Sequence, residues 1–291
     1  TNEAESLFNK IEWMIADITD VTSLEAAFKN IEYVYHCAAY ISFNPRHYPV
    51  LKKVNIEGTA NVVNFCLTEG VKKLCYISSI ATLGKPTDGS LSTEETEFNP
   101  EEDNSVYAIT KHEAEMQVWR GTQEGLDAII IHPGVIIGEG IWSSASGGIF
   151  RTISKGLSYY TPGGVSIVDV KDVVKAMINL TTSTIKNEAY ILVAKNIYYK
   201  ELLTKISDSL NKKPPNKTIA KWMMISFVNL DWLLYKVFRI KRKLLKATVR
   251  SLYKTSFYDA SKIKEVLEFK FTPSDKTIER VARNYKRDIK F

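Results

Sequence analysis

Cysteine is scarce in this sequence, and long apolar runs are absent. The 291 residues include only three cysteines, Cys37, Cys66 and Cys75, whose spacing fits neither a metal site nor a redox pair. We therefore expect no metal, and we expect buried, reduced thiols in a cytoplasmic protein. No stretch approaches the ~18 uncharged apolar residues of a membrane span. The first five residues do not resemble a signal peptide.

Strong charge of one sign is also lacking over most of the chain. The net charge is +6, and much of the excess lies in Lys236–Lys243 and near the C-terminus. We interpret these basic stretches as solvated helix faces, with contact to phosphate or a membrane surface as the alternative. The apolar stretch Trp222–Tyr235 is interrupted by Asn229 and Asp231. We expect it to pack its apolar side inwards, with weak contact to a lipid interface as the alternative.

Short apolar runs alternate with helical patterns in the first two thirds of the chain. Strands are predicted at Ile11–Ala16, Tyr33–Cys37, Leu74–Ser78, Ala128–His132 and Ala189–Val193. Buried strands that alternate with helices form a parallel sheet with helices on both faces, and ligands bind at the carboxyl ends of the strands. The sequence therefore predicts an α/β fold with a doubly wound sheet of the dinucleotide-binding type. A capping box at Thr22–Glu25 is expected to open the first helix.

The pattern becomes irregular after Gly140 and is mostly helical from Tyr199 onwards. We predict a dinucleotide-binding domain of residues 1–140 and 168–196. A smaller, mostly helical substrate domain is predicted for residues 141–167 and 197–291.

A phenol and an ammonium lie one helical turn apart in Tyr107-Ala-Ile-Thr-Lys111. Transfer of hydride to a carbonyl needs a proton for the developing alkoxide, and a phenol held nearby can supply it. A nearby cation would lower the phenol pKa from its usual ~10. The same spacing occurs at Tyr48 and at Tyr258, but only Tyr107 follows a strand that ends in paired serines. Tyr258 lies in a polar stretch that suggests the surface.

Five further motifs occur in the order typical of one known family. The chain resembles the extended short-chain dehydrogenases/reductases, which include the NAD-dependent epimerases and dehydratases, and most closely their dihydroflavonol 4-reductase-like and 3β-hydroxysteroid dehydrogenase-like members. The motifs are Ala16-Asp-Ile-Thr-Asp20, Tyr35-His-Cys-Ala-Ala39, Val54-Asn-Ile-Glu-Gly-Thr-Ala-Asn61, Ile77-Ser-Ser-Ile-Ala-Thr-Leu-Gly84 and His132-Pro-Gly-Val-Ile-Ile-Gly138.

The resemblance implies roles for particular residues of these motifs and for the pair Tyr107 and Lys111. Tyr107 is expected to be the general acid/base, Ser79 to bind the substrate oxygen, and Lys111 to hold the nicotinamide ribose. Asn55 is expected to support the catalytic set, either chemically or only structurally. The expected cofactor contacts are Asp17 and Ile18 at the adenine, Cys37, Ala38 and Ala39 at a strand end, Tyr107 and Lys111, and Pro133, Gly134 and Val135 beside the nicotinamide.

One diagnostic element of that family is missing. A glycine-rich strand-to-helix turn should precede Asp17 and present backbone amides to the cofactor pyrophosphate, and none occurs there. We expect that an N-terminal βαβ unit with this turn belongs upstream of Thr1. The residue that separates NAD from NADP would lie in the same unit, so NADP is only slightly favoured, by the resemblance.

Two reactions remain open from the sequence. Because Gly156–Ser166 holds aromatic residues and no arginine for a diphosphate, we favour an oxidoreductase that reduces a carbonyl, or oxidises a secondary alcohol, on a largely apolar small molecule. The alternative is a nucleotide-sugar epimerase of the same family. A small-molecule substrate is then the expected partner, nucleic acid is not expected, and a homodimer stays open.

Overall fold

A computed structural model describes residues 8–143, 145–238 and 245–289 of the chain. Within these residues the polypeptide forms nine strands. Their bounds are β1 Tyr33–His36, β2 Lys73–Ile77, β3 Ala128–Pro133, β4 Val135–Ile137, β5 Tyr159–Tyr160, β6 Gly164–Asp169, β7 Glu188–Leu192, β8 Lys195–Tyr198 and β9 Lys217–Thr218.

The helices begin where the sequence supplies capping side chains. Asp20, Ser105 and Asp169 each accept a backbone N–H of the helix that follows them. The bounds are α1 Val21–Phe28, α2 Tyr48–Leu51, which continues as the π-helical Lys52–Glu57 into α3 Gly58–Thr68, α4 Val106–Gln123, α5 Ala145–Ser154, α6 Val170–Thr182, α7 Tyr199–Ser209, α8 Lys221–Phe238, α9 Lys246–Tyr253, α10 Ser261–Leu267 and α11 Ser274–Ile289.

The main sheet has four strands in the order β1–β2–β3–β7, all parallel. Its central strand β3 is buried along its whole length. Side chains alternate between the two faces, so Ile130 packs with Val63 of α3 and Val118 of α4. Ile129 and Ile131 pack on the other face with residues of α6 and α10. A parallel sheet covered by helices on both faces confirms the predicted fold class.

A second sheet of three strands joins β4, β6 and β8, with β4 and β6 parallel and β6 and β8 antiparallel. It packs with α5, α7 and α11 around Phe150, Ile206 and Tyr285 in a separate apolar cluster. The predicted boundaries at residues 140 and 168 pass through this region. The division into two domains stays a proposal.

Two local predictions near the start of the chain are wrong. Residues 12–16 form no strand, and the side chains of Trp13, Met14 and Ile15 are exposed. No strand of the described residues lies alongside them, and an unpaired strand gains neither ladder hydrogen bonds nor a buried face. The first helix begins two residues earlier than its predicted capping box, because Asp20 rather than Thr22 is the N-cap and accepts the N–H of Thr22 at 3.1 Å.

Helix α8 also departs from expectation. Apart from Val228, its apolar side chains are largely exposed rather than packed inwards. Within the described parts of the chain, no helix is both long and apolar enough to cross a membrane. Of the predicted basic face Lys236–Lys243, residues 239–243 lie outside the described residues, and Lys236 is exposed.

Candidate active site

Three strand ends meet at one edge of the main sheet. The register pairs His36 with Tyr76 and Ile77 with Ile131. The residues that follow these strands therefore lie side by side, because parallel strands end at the same edge. They are residues 37–39 after β1, residues 78–79 after β2, and residues 133–135 at the end of β3 and the start of β4. The structure thus brings together most of the predicted site residues.

Ser79 and Tyr107 face each other across this edge. Ser79 follows β2 and caps the short 3-10 turn Ile80–Thr82, accepting the N–H of Ala81 at 3.1 Å. Tyr107 lies in the first turn of α4, which Ser105 opens. Burial raises the pKa of Tyr107 above its ordinary value, and an interaction with the Ser79 hydroxyl partly opposes the rise. The phenol is therefore protonated at neutral pH.

Lys111 lies one turn further along α4 and is buried. Its Nζ donates to the Tyr76 hydroxyl and to the Ile77 carbonyl oxygen, both at 2.6 Å. Burial lowers the pKa of Lys111 to about 7, with Glu115 acting in the opposite direction. The expectation that Lys111 lowers the pKa of Tyr107 is wrong for this structure, because the ammonium points towards β2 and burial controls the phenol.

Both the oxygen and the nitrogen of the Asn55 side-chain amide form hydrogen bonds, and these join two elements. Its Oδ1 accepts the N–H of Tyr40 at 2.7 Å, and its Nδ2 donates to the Tyr40 carbonyl at 3.1 Å and to Thr110 Oγ1 at 3.2 Å. It therefore ties the loop after β1 to α4, one residue before Lys111. Its side chain is buried, within the π-helical segment Lys52–Glu57.

The predicted adenine contacts lie beside α3. Asp17 is exposed, and hydrogen bonds from Thr19 lower the pKa of its carboxyl. Ile18 packs against Gly58 so closely that a Cβ at that glycine would lie 2.7 Å from the Ile18 Cδ1. A bulkier residue at position 58 would therefore displace Ile18.

The small residues after β1 are open to solvent. Ala38 and Ala39 are exposed, as is Cys37, which corrects the expectation that all three cysteines are buried. Their side chains are short, so a ligand can approach the backbone here. The exposed edge and the solvent-exposed Asp17 carboxylate fit a nicotinamide dinucleotide at these strand ends.

Pro133, Gly134 and Val135 form the joint between the two sheets. Pro133 and Gly134 are buried, and Val135 is exposed. A Cβ at Gly134 would lie 2.6 Å from the Ser166 carbonyl oxygen on β6, which explains the glycine.

A buried polar network beneath Ser79 was missed from the sequence. Glu115 Oε2 accepts hydrogen bonds from Ser78 Oγ at 2.5 Å and Thr82 Oγ1 at 3.0 Å, and it contacts His132 Nε2 at 2.9 Å. Burial alone would raise the pKa of Glu115, but His132 and the hydroxyl donors lower it to about 2. The only sequence signal is that Glu115 lies one turn after Lys111 on the same helix.

A cavity of about 390 Å³ is lined in part by Val106 and Ile80, the chain neighbours of Tyr107 and Ser79. Aromatic residues in its wall include Phe43, whose ring meets that of Tyr107 edge-on at 5.7 Å, and Tyr258. Lys85, Arg250 and Lys254 also line it. The sequence indicated no arginine for a diphosphate in Gly156–Ser166, and tertiary folding brings Arg250 and the two lysines to the cavity from other segments.

The two other Tyr/Lys pairs are arranged differently. Tyr258 is buried in the cavity wall rather than lying at the surface, which corrects its interpretation, and Lys262 pairs with Glu188 at 2.6 Å. Tyr48 is partly exposed at the start of α2.

Comparisons with known proteins agree with this geometry. The sequence model of the NAD dependent epimerase/dehydratase family matches residues 1–192. A putative dihydroflavonol 4-reductase of Synechocystis is 25% identical over 87% of this chain and 75% of its own length. The 3beta-hydroxysteroid-dehydrogenase/decarboxylase isoform 2 of Arabidopsis thaliana is 25% identical over 89% of this chain, which spans about half (49%) of that protein. The crystal structure of gox2253 superposes with a TM-score of 0.80 and 26% identity, covering 96% of this chain and 85% of that one.

Proposed function

The chain belongs to the NAD dependent epimerase/dehydratase family, and we propose that it is a reductase or dehydrogenase acting at one carbon of a largely apolar small molecule. As a member of that family it is an NAD(P)-dependent enzyme of the extended short-chain dehydrogenase/reductase type. The observation that carries the proposal is that Tyr107 interacts with the Ser79 hydroxyl one helical turn from the buried Lys111, and that their chain neighbours Val106 and Ile80 line the cavity.

In this proposal Tyr107 donates a proton to the alkoxide that forms when the carbonyl is reduced. A raised phenol pKa keeps the proton in place until the alkoxide, a much stronger base, develops. Ser79 donates a hydrogen bond to the same substrate oxygen and so orients it. The bound nicotinamide supplies the hydride. Lys111 contributes an ammonium beside the ribose, and Asn55 holds the loop and helix that frame the site.

The cofactor is proposed to lie along the strand ends. Asp17 would accept from the adenine amine, and Ile18 would pack on the ring. Cys37, Ala38 and Ala39 would allow close approach of the backbone, and residues 133–135 would flank the nicotinamide. We propose NADP ahead of NAD, on the resemblance to reductases. Residues 1–140 and 168–196 are proposed to carry the cofactor, and residues 141–167 and 197–291 most of the substrate contacts.

The substrate class is proposed from the cavity wall. Phe43, Phe98, Tyr199 and Tyr258 present aromatic surface there. Burying apolar area against such residues favours binding by ~25 cal/mol per Å². An aromatic or alicyclic ketone, or the corresponding alcohol, fits this wall.

The test is Tyr107→Phe, assayed with a panel of aromatic and alicyclic ketones and both reduced cofactors. We expect the variant to lose at least 100-fold in kcat, in the range typical of removing a general acid, with little change in cofactor affinity. Tyr48→Phe is the matched control, because Tyr48 also precedes a lysine by four residues and is exposed at the start of α2. Wild-type turnover by Tyr107→Phe would disprove the proposed role.

Nucleotide-sugar epimerase is the second candidate, and one observation favours it. Lys85, Arg250 and Lys254 line the cavity and bring positive charge towards a substrate phosphate, although Arg250 also pairs with Asp103. Epimerisation of a nucleotide sugar with no net change in cofactor redox state, and no activity on the ketone panel, would favour this candidate.

A further inference from the structure

Helix α8 carries an apolar face that points away from the protein and is interrupted by Ser226, whose hydroxyl donates to the Trp222 carbonyl oxygen at 3.0 Å. The exposed fractions are 70% for Trp222, 52% for Leu230, 49% for Leu233 and 60% for Val237. At about 100° per residue these four positions fall within an arc of roughly 80° on the helix surface. Phe227 and Leu234 are also exposed and lie beside this arc. We call these six residues the outer face of α8.

The opposite side of the helix attaches it to the rest of the protein. Val228 is buried, and the Tyr235 hydroxyl accepts a hydrogen bond from Arg46 at 3.2 Å. Arg46 also stacks over the Tyr235 ring at 5.6 Å. The outer face is therefore not needed to attach the helix, because Val228 and Tyr235 on the opposite side already contact the rest of the protein.

The charge around α8 indicates what would cover this face. Lys217, Lys221, Lys236 and Lys246 are exposed before, on and after the helix. The sequence also has basic residues at 239 and 241–243, which lie outside the described residues. An apolar face flanked by lysines complements an anionic lipid surface, where each cation adds ~1 kcal/mol of attraction. The same lysines disfavour a second copy of this chain, which would bring like charges together.

We propose that α8 docks on the surface of an anionic lipid bilayer, with its axis in the membrane plane and its outer face in the boundary between headgroups and acyl chains. The helix lies on the bilayer and does not span it. Trp222 suits this depth because its ring is apolar and its N–H is polar.

This docking would bring the bilayer close to the candidate substrate cavity. Helix α9 packs against α8 and lines the cavity with Ala247, Arg250 and Ser251. On the other side, Arg46 joins α8 to the loop whose Phe43 and Pro45 line the same cavity. An apolar substrate dissolved in the membrane would then reach Tyr107 without crossing water, a consequence that rests on the proposed function.

Vesicle sedimentation with the full chain tests the docking without any need for turnover. We expect binding to vesicles of phosphatidylcholine with about one third phosphatidylglycerol, and much weaker binding to phosphatidylcholine alone. Leu230→Ser with Leu233→Ser should lower the affinity about 100-fold, roughly ten-fold for each leucine withdrawn from the acyl boundary. Lys221→Glu with Lys236→Glu should remove the preference for anionic vesicles.

Val174→Ser with Ile178→Ser is the matched control, because both side chains are 49% exposed on α6 and their loss removes similar apolar area elsewhere. It should leave vesicle binding unchanged, and thermal unfolding should show that every variant is folded. Absence of binding to anionic vesicles would overturn the proposal. So would a concentration-dependent dimer that the Leu230/Leu233 variant abolishes, because a second copy would then cover the face. Vesicle binding by a protein with no ketone reductase activity would refute the proposed function alone.

Discussion

Replacing Glu115 by glutamine would remove the negative charge from the buried network beneath Ser79. Glutamine keeps the size and one acceptor oxygen, but it leaves His132 without its carboxylate partner and weakens the hydrogen bonds from Ser78 and Thr82. Thr82 in turn donates to the Ser79 carbonyl at 2.8 Å. The substitution should therefore loosen the turn that holds Ser79, as well as destabilise the fold.

The magnitude follows from the carboxyl pKa. The network lowers the pKa of Glu115 to about 2, against an ordinary value of 4.5. Each pKa unit corresponds to about 1.4 kcal/mol, so the ionised network stabilises the fold by about 3 kcal/mol at neutral pH. Loss of one partner of a buried ion pair typically costs a similar amount, about 3–5 kcal/mol.

The lowered pKa of Glu115 also determines whether stability rises or falls with pH. A carboxyl with a depressed folded-state pKa contributes stability above its unfolded pKa and loses it as the pH falls towards the folded value. The difference in unfolding free energy between wild type and Glu115→Gln should have its full value at pH 7. It should be smaller by about 1 kcal/mol near pH 3.5.

Urea unfolding followed by circular dichroism at several pH values between about 7 and 3.5 measures the destabilisation by Glu115→Gln and its change with pH. Glu124→Gln is the matched control, because Glu124 is the C-cap of the same helix and forms an exposed pair with Arg120 at 3.0 Å. It should cost less than about 0.5 kcal/mol. Equal destabilisation by the two variants, or a Glu115→Gln effect that does not change with pH, would refute this account of the network.

Three further outcomes are expected. Lys111→Met should abolish turnover and weaken cofactor binding, yet raise the thermal stability of the cofactor-free protein near pH 6. That gain should shrink as the pH rises towards about 10. Because the pKa of Lys111 is lowered to about 7, the folded wild type releases this proton at a lower pH than the unfolded chain, and wild-type stability rises with pH over this window. Gly134→Ala should destabilise by about 1–3 kcal/mol, since its Cβ would lie 2.6 Å from the Ser166 carbonyl oxygen. Gly148→Ala, inside helix α5, meets nothing within 4 Å and should be neutral or slightly stabilising in the same urea titration. Asn55→Ala should cost about 1–3 kcal/mol and raise the KM for the cofactor in steady-state assays, because three hydrogen bonds are lost.

Local patterns in the sequence were sufficient to predict much of the fold. The apolar run Ala128–His132 became the buried central strand, because β-branched residues on both faces suit a sheet covered by helices. Tyr107 and Lys111 lie one turn apart on α4, as their spacing predicted. The three strand ends met where parallel topology requires, so the candidate site could be located before the structure was known.

The sequence by itself determined the four strands of the main sheet and the helix that carries Tyr107 and Lys111, because those elements depend on side chains a few residues apart. Only the tertiary structure decided which groups meet. Glu115 contacts Ser78 across 37 residues of sequence, Lys111 turns to Tyr76 across 35, and Arg250 reaches the cavity from a late helix. It also decided that residues 12–16 stay unpaired and that the outer face of α8 points to solvent. An apolar pattern predicts that burying a face is favourable, but long-range packing determines what buries it.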